Sequence, residues 1–142
     1  MIRFLPALGL FAFICWAIDL ANSGGHNALL GLLLSLPLGD KIGHFLLYGG
    51  LAGLLDWAWR HRDTRLPLLG RVPTAAWVVL AFSALEEASQ LFTATRSPDV
   101  VDLLANLLGV SVMCACGRWV ARWRAGVSAP SARTRSSPPH PP

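Results

Sequence analysis

The sequence predicts an all-α membrane protein: four transmembrane helices in a bundle, both termini in the cytoplasm, and a disordered C-terminal tail. Three observations predict it. Of 142 residues, 54% are hydrophobic and 14% charged, where a soluble domain averages ~25% charged. Charge-free runs recur at Phe4 to Ile18, Leu20 to Gly39, Ile42 to Leu55, Val72 to Leu85, Ala88 to Thr95 and Leu103 to Gly117. Finally, with four crossings drawn through those runs, ten of the 12 lysines and arginines fall on one side.

The first helix is expected at about Phe4–Leu20. Arg3 and the apolar run after it resemble a signal peptide, but no small-x-small cleavage site follows in Leu20 to Gly25, so the span is expected to be retained. Asn22 to Gly25 then breaks the helix. Ala28 to Leu38 is apolar but too short to cross, and is expected to lie along the outer interface or as a short re-entrant piece.

Crossing the bilayer core takes ~20 helical residues. The later charge-free runs fall short of that, so their helices must draw charged residues into the membrane. The second helix is therefore expected at about Lys41–Arg60, the third at Pro73–Phe92 and the fourth at Pro98–Arg118. Gly49-x-x-x-Gly53 with Ala52 gives the second helix a flat surface for close packing. Asp56 and Arg60 are spaced as a helical ion pair, and Asp63 with His61, Arg62 and Arg65 reads as a solvated loop. Ser97 is expected to cap the fourth helix, with Pro98 at its first position. Residues 1–123 thus form one membrane domain, and the Pro-, Ser- and Arg-rich residues 124–142 a disordered cytoplasmic tail.

Orientation follows from the arginines. Arg3, Arg60, Arg62, Arg65, Arg71, Arg118, Arg122, Arg124, Arg133 and Arg135 share one side, against Lys41 and Arg96 on the other. Cytoplasmic loops retain positive charge, so the larger group marks the cytoplasmic side and both termini with it. Trp57, Trp59, Trp77, Trp119 and Trp123 fall near the same boundary, and Trp16 at the outer end of the first helix. The net charge of +4 is thus an orientation signal, and no nucleic-acid partner is implied. Cys15, Cys114 and Cys116 have neither disulfide nor zinc spacing and are expected as small apolar residues in buried helices.

The ionisable residues drawn into the spans gather at one level. Asp40, Lys41, His44 and Tyr48 enter from the outer end of the second helix, Glu86, Glu87 and Gln90 from the third, and Arg96, Asp99, Asp102 and Asn106 from the last turn and the fourth. Spacings of three and four put Lys41, His44 and Tyr48 on one stripe, and Asp99, Asp102, Asn106 and Gly109 on another. Asn106 lies ~10 Å inward of Asp99. A charge at the centre of a span costs ~2.5–3.5 kcal/mol, so such groups face the bundle interior and pair, with Lys41 or Arg96 matched to Glu87 and Asp102. Helix capping alone accounts for Asp99 and Asp40, but not for the deeper residues.

Asp40-Lys41-x-x-His44-x-x-x-Tyr48, then Glu87-x-x-Gln90, then Arg96-x-x-Asp99-x-x-Asp102-x-x-x-Asn106-x-x-Gly109, in this order, resembles the VanZ-like family of small bacterial membrane proteins from about Leu36 to Gly117. Glu86 is an extra acid beside the pattern, and the proline-rich tail looks private to this chain. The resemblance implies a cell-envelope role. The family's namesake is linked to resistance to the glycopeptide teicoplanin, without an assigned reaction.

Chemistry is read from the residues. As an enzyme on an envelope lipid or lipid-linked precursor, His44 would be the base or nucleophile. Lys41 and Arg96 would hold a phosphate, and Glu87 and Asp102 would orient His44 or bind a divalent cation. A binding protein for a lipid head group, peptidoglycan precursor or glycopeptide would use the same residues, with Asp40, Tyr48, Gln90, Asp99 and Asn106 as further ligand-binding candidates, and no base. Proton or ion movement fits poorly with a stripe confined to the outer half. The bland alternative is a scaffold whose polar network only fixes helix packing.

Overall fold

The computed structural model describes residues 2–22, 38–92 and 98–127. A 3₁₀ turn, Ile2–Phe4, leads into α1 (Leu5–Asn22), followed by α2 (Gly39–Ala58). Strands β1 (Asp63–Leu66) and β2 (Gly70–Pro73) come next, then α3 (Thr74–Ser89) with a 3₁₀ turn at Gln90–Phe92, and α4 (Val100–Val127). Among the described residues there are four α-helices, where four were expected. Of the segment 28–38, only Leu38 lies within the described residues, as does none of 128–142.

Local chemistry sets the helix ends. Pro6 sits in the first turn of α1, where its missing N–H costs nothing. Leu38 takes a left-handed conformation (φ 63°) and its carbonyl accepts the Ile42 N–H at 2.9 Å, which starts α2. Asp99 caps α4: its Oδ1 accepts the Val101 N–H at 2.8 Å. Pro98 therefore lies ahead of the helix rather than at its first position, and the expected cap, Ser97, lies outside the described residues. At its far end, α4 continues past Arg118 through Trp119 and Trp123 to Val127, taking in residues 124–127 that were expected in the tail.

The end of α2 overturns one expectation. The His61 N–H closes on the Asp56 carbonyl at 2.7 Å, and Arg60 and His61 both adopt left-handed backbone, φ 58° each. This winding stop carries Arg60 off the helix face, so no Asp56–Arg60 pair forms. Asp56, 1% exposed, is instead gripped by Arg118 (Nε to Oδ2 3.0 Å, Nη2 to Oδ1 2.8 Å) and by His61 Nδ1 at 2.6 Å.

The solvated loop is a two-stranded antiparallel hairpin, pairing Asp63 with Pro73, Thr64 with Val72, Arg65 with Arg71 and Leu66 with Gly70. So short a hairpin is marginal alone. Here the Thr74 N–H bonds the Arg62 carbonyl at 2.9 Å, the Thr64 and Thr74 hydroxyls meet at 2.8 Å, and Arg118 Nη1 reaches Asp63 Oδ1 at 2.6 Å.

Residue pairings give the directions of the helices. Arg3 at the start of α1 lies 5.6 Å over the ring of Trp57 at the end of α2, so those two run antiparallel. The β1–β2 hairpin returns the chain from the end of α2 to the start of α3, with the Thr74 N–H on the Arg62 carbonyl. Tyr48 at mid-α2 bonds Glu86 near the end of α3, so these two are antiparallel as well. Along α4, Asp102, Asn106, Gly109, Met113 and Arg118 meet Lys41, His44, Gly49, Gly53 and Asp56 in turn, so α2 and α4 run parallel. A methyl group on Gly49 would lie 2.7 Å from the Gly109 backbone, and one on Gly109 would collide with the Phe45 carbonyl. The expected flat surface is thus a backbone-to-backbone contact. Ala7, Ile14, Tyr48, Leu51, Ala52, Val79, Val110 and Cys114 form the core around it. Cys15 and Cys116, expected to be buried, are exposed on the outer faces of α1 and α4.

The exterior is apolar. Leu8, Leu46, Leu85, Leu104 and Leu108 are each more than half exposed, while Asp102, Glu87, Gln90 and Asn106 are buried. Such an inverted distribution suits a hydrocarbon solvent. By length and composition Ile2–Ala21 and Val100–Val127 can each cross a membrane, with mean hydropathies of 2.0 and 1.9. The buried polar groups are carried by α2, α3 with its following turn, and α4.

Candidate functional site

The polar site is built on the α2–α4 seam. Because the glycine contact lets the two backbones touch, the short reach from Lys41 and His44 to the next helix is enough to meet Asp102 and Asn106. Lys41 Nζ donates to Asp99 Oδ2 at 2.6 Å, to Asp40 Oδ2 at 3.1 Å, and to Asp102 Oδ1 in the closest of the three contacts. One turn deeper, His44 Nδ1 lies 3.2 Å from Asn106 Oδ1, and Asn106 Nδ2 donates to Ser83 Oγ of α3 at 2.6 Å. The His44 ring stacks on Tyr48, with centroids 5.7 Å apart.

Helix α3 closes the site. Tyr48 donates its hydroxyl to Glu86 Oε2 at 3.2 Å, and Gln90 Nε2 bonds Glu86 Oε1 at 3.0 Å and Glu87 Oε2 at 3.3 Å. The other Glu87 oxygen accepts the Asp99 backbone N–H, tying the end of α3 to the start of α4. Asp40, Lys41, His44, Tyr48, Glu87, Gln90, Asp99, Asp102 and Asn106 therefore join one network, as the two stripes anticipated. Arg96 lies outside the described residues.

Ser83 is a member that sequence reasoning passed over, and Glu86 was noted at this level but given no role in the site. Ser83, Glu86 or Glu87, and Gln90 are spaced three or four apart, the signal that picked out the other two stripes, but a serine in an apolar run carries little weight alone.

The network is graded with depth. The side chains of Asp40 and Asp99 are 38% and 41% exposed, that of His44 11% and that of Asp102 4%. Asp99, in the turn ahead of α4, is held below the usual carboxylate range by the Lys41 ammonium and the Val101 N–H. Farther in, Asn106 and Ser83 satisfy one another, as do Tyr48, Glu86 and Gln90.

Two expected roles change. Lys41 spends all three ammonium protons on Asp40, Asp99 and Asp102, so it has none left for a phosphate. Among the described residues, three carboxylates surround this one ammonium. Glu87 is hydrogen-bonded to Gln90 and to the Asp99 backbone, so the carboxylates placed beside His44 are Asp102 and Asp40: Nε2 lies 3.5 Å from Asp102 Oδ2 and 3.8 Å from Asp40 Oδ1.

A family model described as VanZ/LLP1 matches residues 10–121. The match extends to the first helix, ahead of the Leu36 to Gly117 stretch that carries the motif resemblance, and covers every residue of the network. Neither a curated protein nor a solved structure matches the chain.

Proposed function

The chain belongs to the VanZ/LLP1 family, and on that premise we propose that it is a four-span protein of the bacterial cytoplasmic membrane whose polar site opens outward and binds the head group of an envelope lipid or lipid-linked peptidoglycan precursor. The observation that carries the reading is the depth profile of the network. Groups that only glue helices together need no opening. Here Asp40 and Asp99 stand open at the helix ends while Asp102 and His44 lie just beneath them, so a ligand can enter from one end. The arginine distribution supports an outward-facing opening.

Within that site His44 is the group suited to proton transfer, with Asp102 beside Nε2 and Asn106 on Nδ1 to orient it. Processing of the bound precursor would run through His44; binding alone would not need it. A change in teicoplanin susceptibility would follow from altered amounts of an exposed precursor. The scaffold reading is favoured by the inner layer, where Ser83, Asn106, Tyr48, Glu86 and Gln90 satisfy one another. Those residues hold the helices so that the outer layer can act.

The experiment is deletion of the gene, mass-spectrometric profiling of envelope lipids and peptidoglycan precursors, and complementation. Wild type should restore the profile and the teicoplanin response. His44→Ala and Asp102→Asn should reach normal membrane levels without restoring either. Full rescue by both variants would refute the reading, and loss of the protein in both would favour the scaffold.

A further inference from the structure

We propose that Asp40, His44 and Asp102 bind a divalent cation of the zinc or manganese type. One oxygen of each is turned the right way: Lys41 holds Asp40 by Oδ2 and Asp102 by Oδ1, so Oδ1 of Asp40 and Oδ2 of Asp102 remain facing His44 Nε2. Among the described residues no donor is hydrogen-bonded to either free oxygen, although Asp102 is 3% exposed. A buried carboxylate oxygen without a partner is costly.

The imidazole supplies an independent indication. Asn106 gives its NH₂ to Ser83, which leaves only its carbonyl oxygen for His44. That oxygen accepts, so His44 Nδ1 carries a hydrogen, and a ring with that single proton presents the Nε2 lone pair to two carboxylate oxygens. Three acceptors pointing at one another repel unless something positive lies between them. Histidine that donates one nitrogen to a carbonyl and turns the other inward is the usual posture of a metal ligand.

Dimensions agree. Nε2 stands 3.5 and 3.8 Å from the two oxygens, and the three atoms lie within 4.8 Å of one another. Donors at ~2.1 Å around a tetrahedral ion sit ~3.4 Å apart, so the two spacings that involve Nε2 are close to what an ion would hold. One nitrogen with two oxygens suits zinc or manganese better than magnesium or calcium. Three protein ligands leave a position toward the open end, where Asp40 is exposed. This deepens the head-group reading and rests on it for its use: a cation there would give a phosphate the positive charge that Lys41 has already committed.

The test is calorimetric titration of the purified full chain in detergent with Zn²⁺, Mn²⁺ and Mg²⁺, without lipid, with elemental analysis for stoichiometry. One Zn²⁺ or Mn²⁺ per chain is expected, with Mg²⁺ weaker. Asp40→Asn, at the exposed edge and so least disruptive to folding, and His44→Ala should each weaken binding at least tenfold. Asn106→Leu should cost about 10- to 100-fold, as loss of an orienting partner does. No stoichiometric binding by wild type, or His44→Ala binding as tightly as wild type, would overturn the proposal. In that event His44 carries a second hydrogen on Nε2 and donates it to Asp102. Because the titration contains no lipid, its failure is distinguishable from failure of the lipid profile.

Discussion

Gly49→Ala tests whether the site depends on the helix contact beneath it. The added methyl would lie 2.7 Å from the Gly109 carbonyl carbon and oxygen, where ordinary contact begins at 3.4 Å. The obstruction is backbone, which has no rotamer to change, so α2 and α4 must part by about 0.7 Å at the crossing. Overpacking of this kind costs ~1–3 kcal/mol. The same parting loosens His44 from Asn106 and Asp102, one to two turns away, without altering a site residue. Thermal unfolding in detergent measures the first effect, and the affinity for Zn²⁺ or Mn²⁺ reports the second. Gly9→Ala and Gly117→Ala are the controls: a methyl meets nothing within 4 Å at either position. Each should be neutral or stabilising by up to ~1 kcal/mol, since alanine is the better helix former. If Gly49→Ala unfolds with wild-type midpoint and binds the cation normally, the close crossing does not set the site.

Three further outcomes follow from the same geometry. Asp56→Ala should destabilise the protein by ~3–5 kcal/mol, because Arg118 and His61 lose a buried carboxylate; thermal unfolding beside Asp63→Ala, whose carboxylate is far more exposed, should show the larger drop for Asp56. Arg60→Gly should raise the unfolding midpoint, since glycine relieves ~1–2 kcal/mol of left-handed strain at φ 58°; an unchanged or lower midpoint would refute the strain argument. Reporter fusions after Gly25, Arg65, Ser97 and Ala129 should read out, in, out, in, and a cytoplasmic signal at Ser97 would reverse the proposed exposure of the site.

Periodicity made most of the site legible. Lys41, His44 and Tyr48, like Asp102, Asn106 and Gly109, repeat at helical spacing, and charges inside a membrane have few places to go. Partner choice was less legible. Asp56–Arg60 is a sound pair on an unbroken helix, but α2 stops at Ala58 and a residue from α4 takes the place. The same arginine hid the length of α4: Arg118 looked like a charge at a membrane boundary, whereas it turns inward to Asp56 and lets the helix continue. The hairpin escaped because its strands, Asp63–Leu66 and Gly70–Pro73, lack an alternating apolar face and depend on Thr74 and Arg118 for support. Lys41 was recognisable as a site residue, but not that three carboxylates would exhaust it.

The seam between α2 and α4 also carries a direction. α2 presents a cation at one end, Lys41, and an anion at the other, Asp56; α4 answers with Asp102 and Arg118 in the opposite sense. Reversing α4 would set Asp102 against Asp56 and Arg118 against Lys41, while sliding it by a turn would part the glycines. The two helices can thus recognise each other in one polarity and one register. α4, made after α2, has a way to choose its place beside it.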